Sequence, residues 1–211
     1  MLTANHRLVF IGDSITECGR LNPDIARTDP LGVGFVRFIS DYLLARDPAN
    51  APVVINRGIG GNKVTDLAAR WEQDVIAETP DWLTVKVGIN DVWHAYRDPT
   101  GGVPVERFRE VYAGLLKQTK AALPRVKLIL CQPTVIGPPA PADGNQRLKP
   151  YVQVVSELAH DFHATLVTLH QVFLRAQQAR PDHPWAPDGV HPSSAGHMLI
   201  ARTWLEALNL L

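Results

Sequence analysis

Short apolar runs alternate along the chain with longer stretches in which apolar residues return every three or four positions. Leu8-Val9-Phe10-Ile11, Pro52-Val53-Val54-Ile55-Asn56 and the runs at 82–87, 126–131 and 165–169 are short and rich in β-branched residues. That pattern predicts strands, and their nearly continuous apolar character predicts burial on both faces, the second strand included. Phe35, Val36, Ile39, Tyr42 and Leu43 recur at helical spacing and predict a helix over 34–46. Val64, Leu67, Ala68, Trp71 and Val75 mark one face of a long helix. Phe108, Val111, Tyr112, Leu115 and Thr119 predict another, stopped by Pro124. Further helices are predicted over 151–162 and 172–180, with a final one begun by Ser193 or Ser194 and running through Leu208. Residues 16–30, 99–104 and 133–150 read as loops, the first with a helical start left open; the last holds Pro138-Pro139-Ala140-Pro141.

Strands and helices therefore alternate five times, with no internal repeat and no linker. This predicts an α/β fold: a three-layer, flavodoxin-like, doubly wound sheet of five mainly parallel strands with helices on both faces. Residues 1–211 form one domain on this reading. Strand order 2-1-3-4-5 sets the ends of the first three strands side by side, at the rim where ligands bind in such sheets. Ser14, Gly61 and Asn90 then share that rim.

Composition narrows the class. Lys plus Arg equals Asp plus Glu at 21 each, so no basic surplus points to nucleic acid or to a membrane surface. No apolar run approaches a membrane span. The first residues lack the charged-then-apolar layout of a secretory signal, which makes the cytoplasm the expected location. Cys18 and Cys131 are too few for a disulfide framework and read as packing residues, with a single bridge between them left open.

The candidate chemistry sits where strands stop. Ser14 follows directly on Gly12-Asp13. A serine there can cap the next helix or act as a nucleophile. Gly58, Gly60 and Gly61 precede a helix; a phosphate loop fails because Lys63 follows Asn62 rather than a glycine, so a tight turn is the simpler reading. Asn90, in Gly88-Ile89-Asn90-Asp91, can serve a turn or donate its amide into a site. Asp188 and His191 lie three residues apart on a loop, with Gly189 between them to permit a bend. No further ligands at convincing spacing join them, so no metal or other cofactor is expected. His197 reads as structural, and Asp13 as a structural hydrogen-bonder. Acyl transfer needs a nucleophile, a base, an orienter and oxyanion donors. Ser14, His191, Asp188, and the Ser14 and Gly61 N–H groups with the Asn90 amide can fill those roles.

The four blocks Gly12–Thr16, Asn56–Gly61, Gly88–Asp91 and Asp188–His191 resemble, in order, those of the SGNH (GDSL) hydrolases. The resemblance implies catalysis by Ser14, Asp188 and His191, with Ser14, Gly61 and Asn90 forming the oxyanion hole. Residues 15–20, 88–93 and 190–198 look like the intracellular acetylxylan-esterase branch, which implies release of acetyl groups from xylo-oligosaccharides and related sugars. Here Gly60 stands where that family usually has serine. Trp93, Tyr96 and Trp185 can stack on sugar rings or pack loops. Members of the family often form oligomers, so a homo-oligomer is one arrangement the resemblance allows. A thioesterase or lysophospholipase of the same family, and a non-catalytic carbohydrate-binding member, are the alternatives.

Overall fold

In the computed structural model, which describes residues 2–137 and 143–211, five parallel strands form one sheet in the order β2-β1-β3-β4-β5. The strands are β1 (Arg7–Gly12), β2 (Val53–Gly58), β3 (Trp82–Lys86), β4 (Lys127–Cys131) and β5 (Thr165–Val167). Parallel neighbours require crossovers, and helices supply them. These are α1 (Ser14–Glu17), α2 (Pro23–Ala26), α3 (Phe35–Arg46), α4 (Val64–Trp71), α5 (Ile89–Trp93), α6 (Val105–Ala122), α7 (Gly144–Asp161), α8 (Leu169–Ala179) and α9 (Ser194–Ala207).

Alternation along the strands builds two cores. Leu8, Phe10, Ile129 and Cys131 face a layer that includes α3, α8 and α9. Val9, Ile11, Leu83, Val85, Leu128 and Leu130 face α4, α6 and α7. The two largest buried side chains each satisfy their one donor with a threonine. Trp204 Nε1 donates to Thr84 Oγ1 at 3.1 Å, and Trp71 Nε1 to Thr119 Oγ1 at 2.9 Å. Among the described residues, no helix is long and apolar enough to cross a membrane.

Several local expectations change. The second strand is not buried on both faces: it is a sheet edge, paired only to β1, and Val53 is exposed. Ala68 is likewise exposed, because the buried stripe of α4 runs through Val64, Leu67 and Trp71 and leaves Ala68 at its solvent edge. The helix does not continue as α past Trp71. Glu72–Ile76 widens to a π-helical turn, closed by Ala77 N–H on Glu72 O at 2.9 Å, which still seats Val75 in the core. α1 is the helical start left open for the 16–30 stretch, and the short helix α2 interrupts the rest of the expected loop. The fifth strand ends at Val167, and Leu169 already opens α8. Cys18 and Cys131 are both free thiols.

The largest difference is at Pro150. The proline-rich loop was expected to run to that residue, yet α7 begins at Gly144 and carries Pro150 inside it. The tetrad Pro138-Pro139-Ala140-Pro141 lies outside the described residues. Pro150 is on the exposed side of α7, while Leu148, Val154 and Val155 on the same helix are buried. Tertiary packing of that apolar face outweighs the local cost of the proline. Pro150→Ala restores a donor for the preceding turn and removes the ring clash. It should raise stability by about 1–3 kcal/mol, read as a higher urea midpoint at unchanged m. An unchanged or lower midpoint would mean that the proline is matched to a bend the helix needs.

Candidate active site

β1 sits between β2 and β3, and its register sets the site. Gly12 pairs with Gly58 on one side and with Lys86 on the other, so three chain reversals begin at one level. Gly12 itself admits no side chain: a Cβ there would lie 2.3 Å from the Lys86 carbonyl oxygen and 2.4 Å from Thr16 Oγ1. The chain then turns at Asp13, whose Oδ1 accepts the Ile15 N–H at 2.9 Å and caps α1. Asp13 is thus the cap, and Ser14, the first residue of the helix, keeps its hydroxyl for other work.

That hydroxyl meets His191. Ser14 Oγ lies 2.8 Å from His191 Nε2, across 177 residues of sequence. His191 Nδ1 lies 2.6 Å from Asp188 Oδ2. With Nδ1–H donating to the carboxylate, Nε2 is left to accept from the serine. Asp188 Oδ1 also accepts the backbone N–H groups of His191 at 2.7 Å and Val190 at 3.0 Å. Gly189 makes this loop-back with φ +87°. Burial pushes the Asp188 carboxyl up, but the bonds from the His191 ring, His191 N–H and Val190 N–H together hold it below the usual carboxylate range. The orienting charge therefore persists throughout the neutral range.

The second and third reversals bring backbone and amide donors alongside. Among the described residues, the N–H groups of Ser14, Gly60 and Gly61 have no acceptor within the protein. Gly61 adopts φ +77° with open space where a Cβ would be. A Cβ on Gly60 would stand 3.9 Å from Ser14 Cβ, so this loop borders the serine directly. Asn90 Nδ2 donates one hydrogen to the Asn62 carbonyl at 3.1 Å, which leaves its second N–H for another acceptor. The stretch expected to be a turn at Asn90 is a short helix, α5, entered through Gly88 at φ +124°.

The three aromatic candidates are not gathered at one place. Trp93 packs partly against the α3/α9 core, with its ring 5.8 Å from Tyr96. Tyr96 donates its hydroxyl to Asp143 at 2.9 Å, and the Arg147 guanidinium covers its face at 4.9 Å. Trp185 donates to Arg180 O at 3.1 Å and borders a cavity of about 390 Å³ with Asn145, Gln177 and Pro187.

Buried titratable groups surround the Asp13–Ser14 turn. Lys86 Nζ is fully buried 3.9 Å from Asp13 Oδ1; burial lowers its pKa, against the opposing pull of Asp13. His197 accepts the Phe35 N–H at 3.2 Å and lies 3.4 Å from Cys18 Sγ. Its pKa is driven down to about 4, by burial first and then by the Lys86 and His191 charges. Asp91 accepts the Val64 N–H at 3.1 Å, and burial above all pushes its carboxyl up to about 7. Neither Asp91 nor Lys86 has a role that the sequence alone points to. Asp91 stands in the Gly88–Asp91 block, whereas a lysine inside a strand carries no signal of its own. Among the described residues, no group of three or more His, Cys, Asp or Glu is placed to hold a metal ion.

Fold and geometry together define a class: a doubly wound α/β sheet with a Ser-His-Asp relay at the carboxyl ends of its strands. Comparison with known proteins narrows it. The sequence pattern of the GDSL-like lipase/acylhydrolase family matches residues 10–199, and the chain belongs to that family. It is 35% identical to an acetylxylan esterase from Geobacillus stearothermophilus, over 97% of this chain and 94% of that protein. A crystal structure of a Geobacillus stearothermophilus acetylxylan esterase superposes with a TM-score of 0.88 at 34% identity, covering 98% of this chain and 95% of the other. An α/β hydrolase enzyme from the metagenome of Lake Arreo, Spain, gives a TM-score of 0.89 at 33% identity, covering 100% and 98%.

The two perturbed groups beside the site give opposite pH signatures. Native His197 stays neutral down to about pH 4, whereas an unfolded imidazole takes its proton near pH ~6.5. The unfolded state binds more protons between these values, so stability falls as pH drops through that window. Native Asp91 holds its proton up to about pH 7, whereas an unfolded aspartate releases it near ~3.9, so its contribution falls as pH rises. Between about pH 4.5 and 6.5, stability should therefore rise more steeply with pH in Asp91→Asn than in wild type. In His197→Asn it should rise less steeply or fall. Parallel Tm profiles for the three proteins would contradict both assignments.

Proposed function

We propose that this chain is a serine esterase that removes short acyl groups, acetyl above all, from carbohydrates such as acetylated xylo-oligosaccharides. The observation that carries the proposal is the continuous relay from Ser14 Oγ to His191 Nε2 at 2.8 Å and from His191 Nδ1 to Asp188 Oδ2 at 2.6 Å, beside unengaged N–H donors. The family membership and the likeness to acetylxylan esterases support the choice of ester and of substrate.

In the proposed reaction, Ser14 Oγ attacks the acetyl carbonyl carbon while His191 Nε2 takes the hydroxyl proton. Asp188 holds the imidazole in the tautomer that can accept it and stabilises the imidazolium. The carbonyl oxygen becomes negative and is met by the N–H groups of Ser14 and Gly61 and the free N–H of Asn90. Collapse expels the sugar alkoxide, which leaves with the proton from His191. Water then gives a proton to His191 and attacks the acetyl-serine. Collapse releases acetic acid, which ionises in solvent, as Ser14 Oγ regains its proton from His191. Trp93, Tyr96 and Trp185 remain the candidates for sugar contact, with Arg147 covering one face of the Tyr96 ring.

Ser14→Ala should lower kcat on acetyl esters by on the order of a thousandfold or more. Asn90→Ala should lower it by roughly 10²–10³-fold if its amide meets the oxyanion, and an unchanged rate would remove Asn90 from the site. Turnover across acetyl, butyryl and octanoyl esters, with acetylated xylose beside them, tests the substrate class. Steep loss with acyl length supports the carbohydrate acetylesterase. Preference for octanoyl would move the protein to the thioesterase or lysophospholipase reading. Absence of Ser14-dependent turnover on every ester would favour a non-catalytic carbohydrate-binding member.

A further inference from the structure

We propose that Arg70 is the positioning residue of the oxyanion hole, a single guanidinium that fixes the glycine loop against the end of the nucleophile strand. It belongs to none of the four motif blocks. It lies in the last turn of α4, and its side chain is only 14% exposed. The role rests on the reaction proposed above and deepens it.

The fork engages four acceptors. Arg70 Nη2 donates to the Gly12 carbonyl at 3.1 Å, at the terminus of β1 two residues before Ser14. Nη1 donates to the Arg57 carbonyl at 2.7 Å, near the end of β2, and to Asp74 Oδ2 at 2.6 Å. Nε donates to the Asn62 side-chain oxygen at 2.8 Å. One planar group thus spans the ends of two strands and the residue following Gly61. Asp74, one turn along, supplies the countercharge that lets the guanidinium stay there.

Asn62 is the joint. Its side chain is held by Arg70, its N–H donates to the Ile59 carbonyl at 3.3 Å, and its own carbonyl takes the Asn90 amide at 3.1 Å. The Ile59 N–H in turn donates to Gly12 O at 3.1 Å, the oxygen Arg70 also contacts. The three groups assigned to the oxyanion are therefore tied to this network: Ser14 follows Gly12 by two residues, Gly61 immediately precedes Asn62, and the Asn90 amide donates to the Asn62 carbonyl itself. Gly61, at φ +77° with nothing packed where its Cβ would be, has no side-chain contact to hold it. Its placement depends on its neighbour Asn62. Preorganised donors stabilise a transition state only if they are already aimed, and small displacements of such groups cost rate rather than affinity.

The test is steady-state kinetics on an acetyl ester with wild type, Ser14→Ala, Arg70→Ala, Arg70→Lys, Asn62→Ala and Asn90→Ala, and the Arg70→Ala/Asn90→Ala pair. Folding is checked by circular dichroism and Tm. Arg70→Ala should lower kcat by about 10–100-fold with KM within about threefold. Arg70→Lys should recover little, since an ammonium cannot span Gly12 O and Asn62 together. Guanidinium at millimolar concentration should partly restore kcat in Arg70→Ala and not in Arg70→Lys. In the double variant the Arg70 effect should shrink, because the donor it serves is already lost. If Arg70→Ala does not fold, Asn62→Ala carries the test: it removes the Nε acceptor alone, and kcat should fall by about 3–10-fold at unchanged KM.

A folded Arg70→Ala with wild-type kcat would overturn the inference. So would a loss fully additive with Asn90→Ala, or, where only Asn62→Ala folds, an unchanged kcat in that variant. Ser14-dependent turnover in wild type with any of these results would discard the role of Arg70 and leave the esterase reading intact. Absence of Ser14-dependent turnover in wild type would discard both.

Discussion

The site depends on one constraint: β1 runs parallel and in register between β2 and β3, and all three stop at the level of Gly12. Parallel strands end at the same rim, so every residue that follows a strand is delivered to one place. Ser14 arrives from β1, the glycine loop from β2 and Asn90 from β3. The fourth contribution, the Asp188–His191 loop, comes from outside the sheet and is anchored by α9, whose cap Ser193 follows Pro192. The fold thus brings His191 within 2.8 Å of a serine 177 positions earlier without any local sequence relation between them.

Burial beneath the rim gives this arrangement its rigidity and its electrostatic character. Gly12 can approach Lys86 and Thr16 only because it has no side chain. Asp13 is fully buried and spends one oxygen on the α1 cap, with the Lys86 ammonium 3.9 Å away. Burying these two groups under the turn costs desolvation, which lowers the Lys86 pKa against the pull of Asp13. Ser14, His191 and Asp188 meet at the surface, with the His191 and Asp188 side chains about half exposed.

Much of this was legible in the sequence because strand ends are marked chemically. Gly12, Gly58 and Gly88 punctuate three apolar runs, and a doubly wound order follows from the alternation of strands and helices. Asp188 and His191 could be paired because the bend between them contains Gly189. Packing decisions were less legible. The apolar β2 read as buried on both faces, although the expected strand order already put it at the sheet edge, because exposure there is set by pairing order and not by composition. Pro150 read as a loop residue, since the buried face that carries α7 through it is a tertiary effect. Arg70 gave no signal at all, because its four acceptors lie outside α4, at the ends of β1 and β2, in the glycine loop and in the turn that follows the helix. The aromatic residues were ambiguous for the same reason: stacking on a ligand and packing on a neighbour use the same surface.

The central claim is that Ser14 is the covalent nucleophile, activated by His191. The most direct measurement is labelling by an alkyl fluorophosphonate, followed by intact mass and peptide mapping. The account predicts one adduct per chain, located on Ser14, forming far more slowly in His191→Ala and not at all on the corresponding peptide of Ser14→Ala. An active enzyme that resists the reagent, or an adduct placed on another residue while esterase activity is lost, would contradict it.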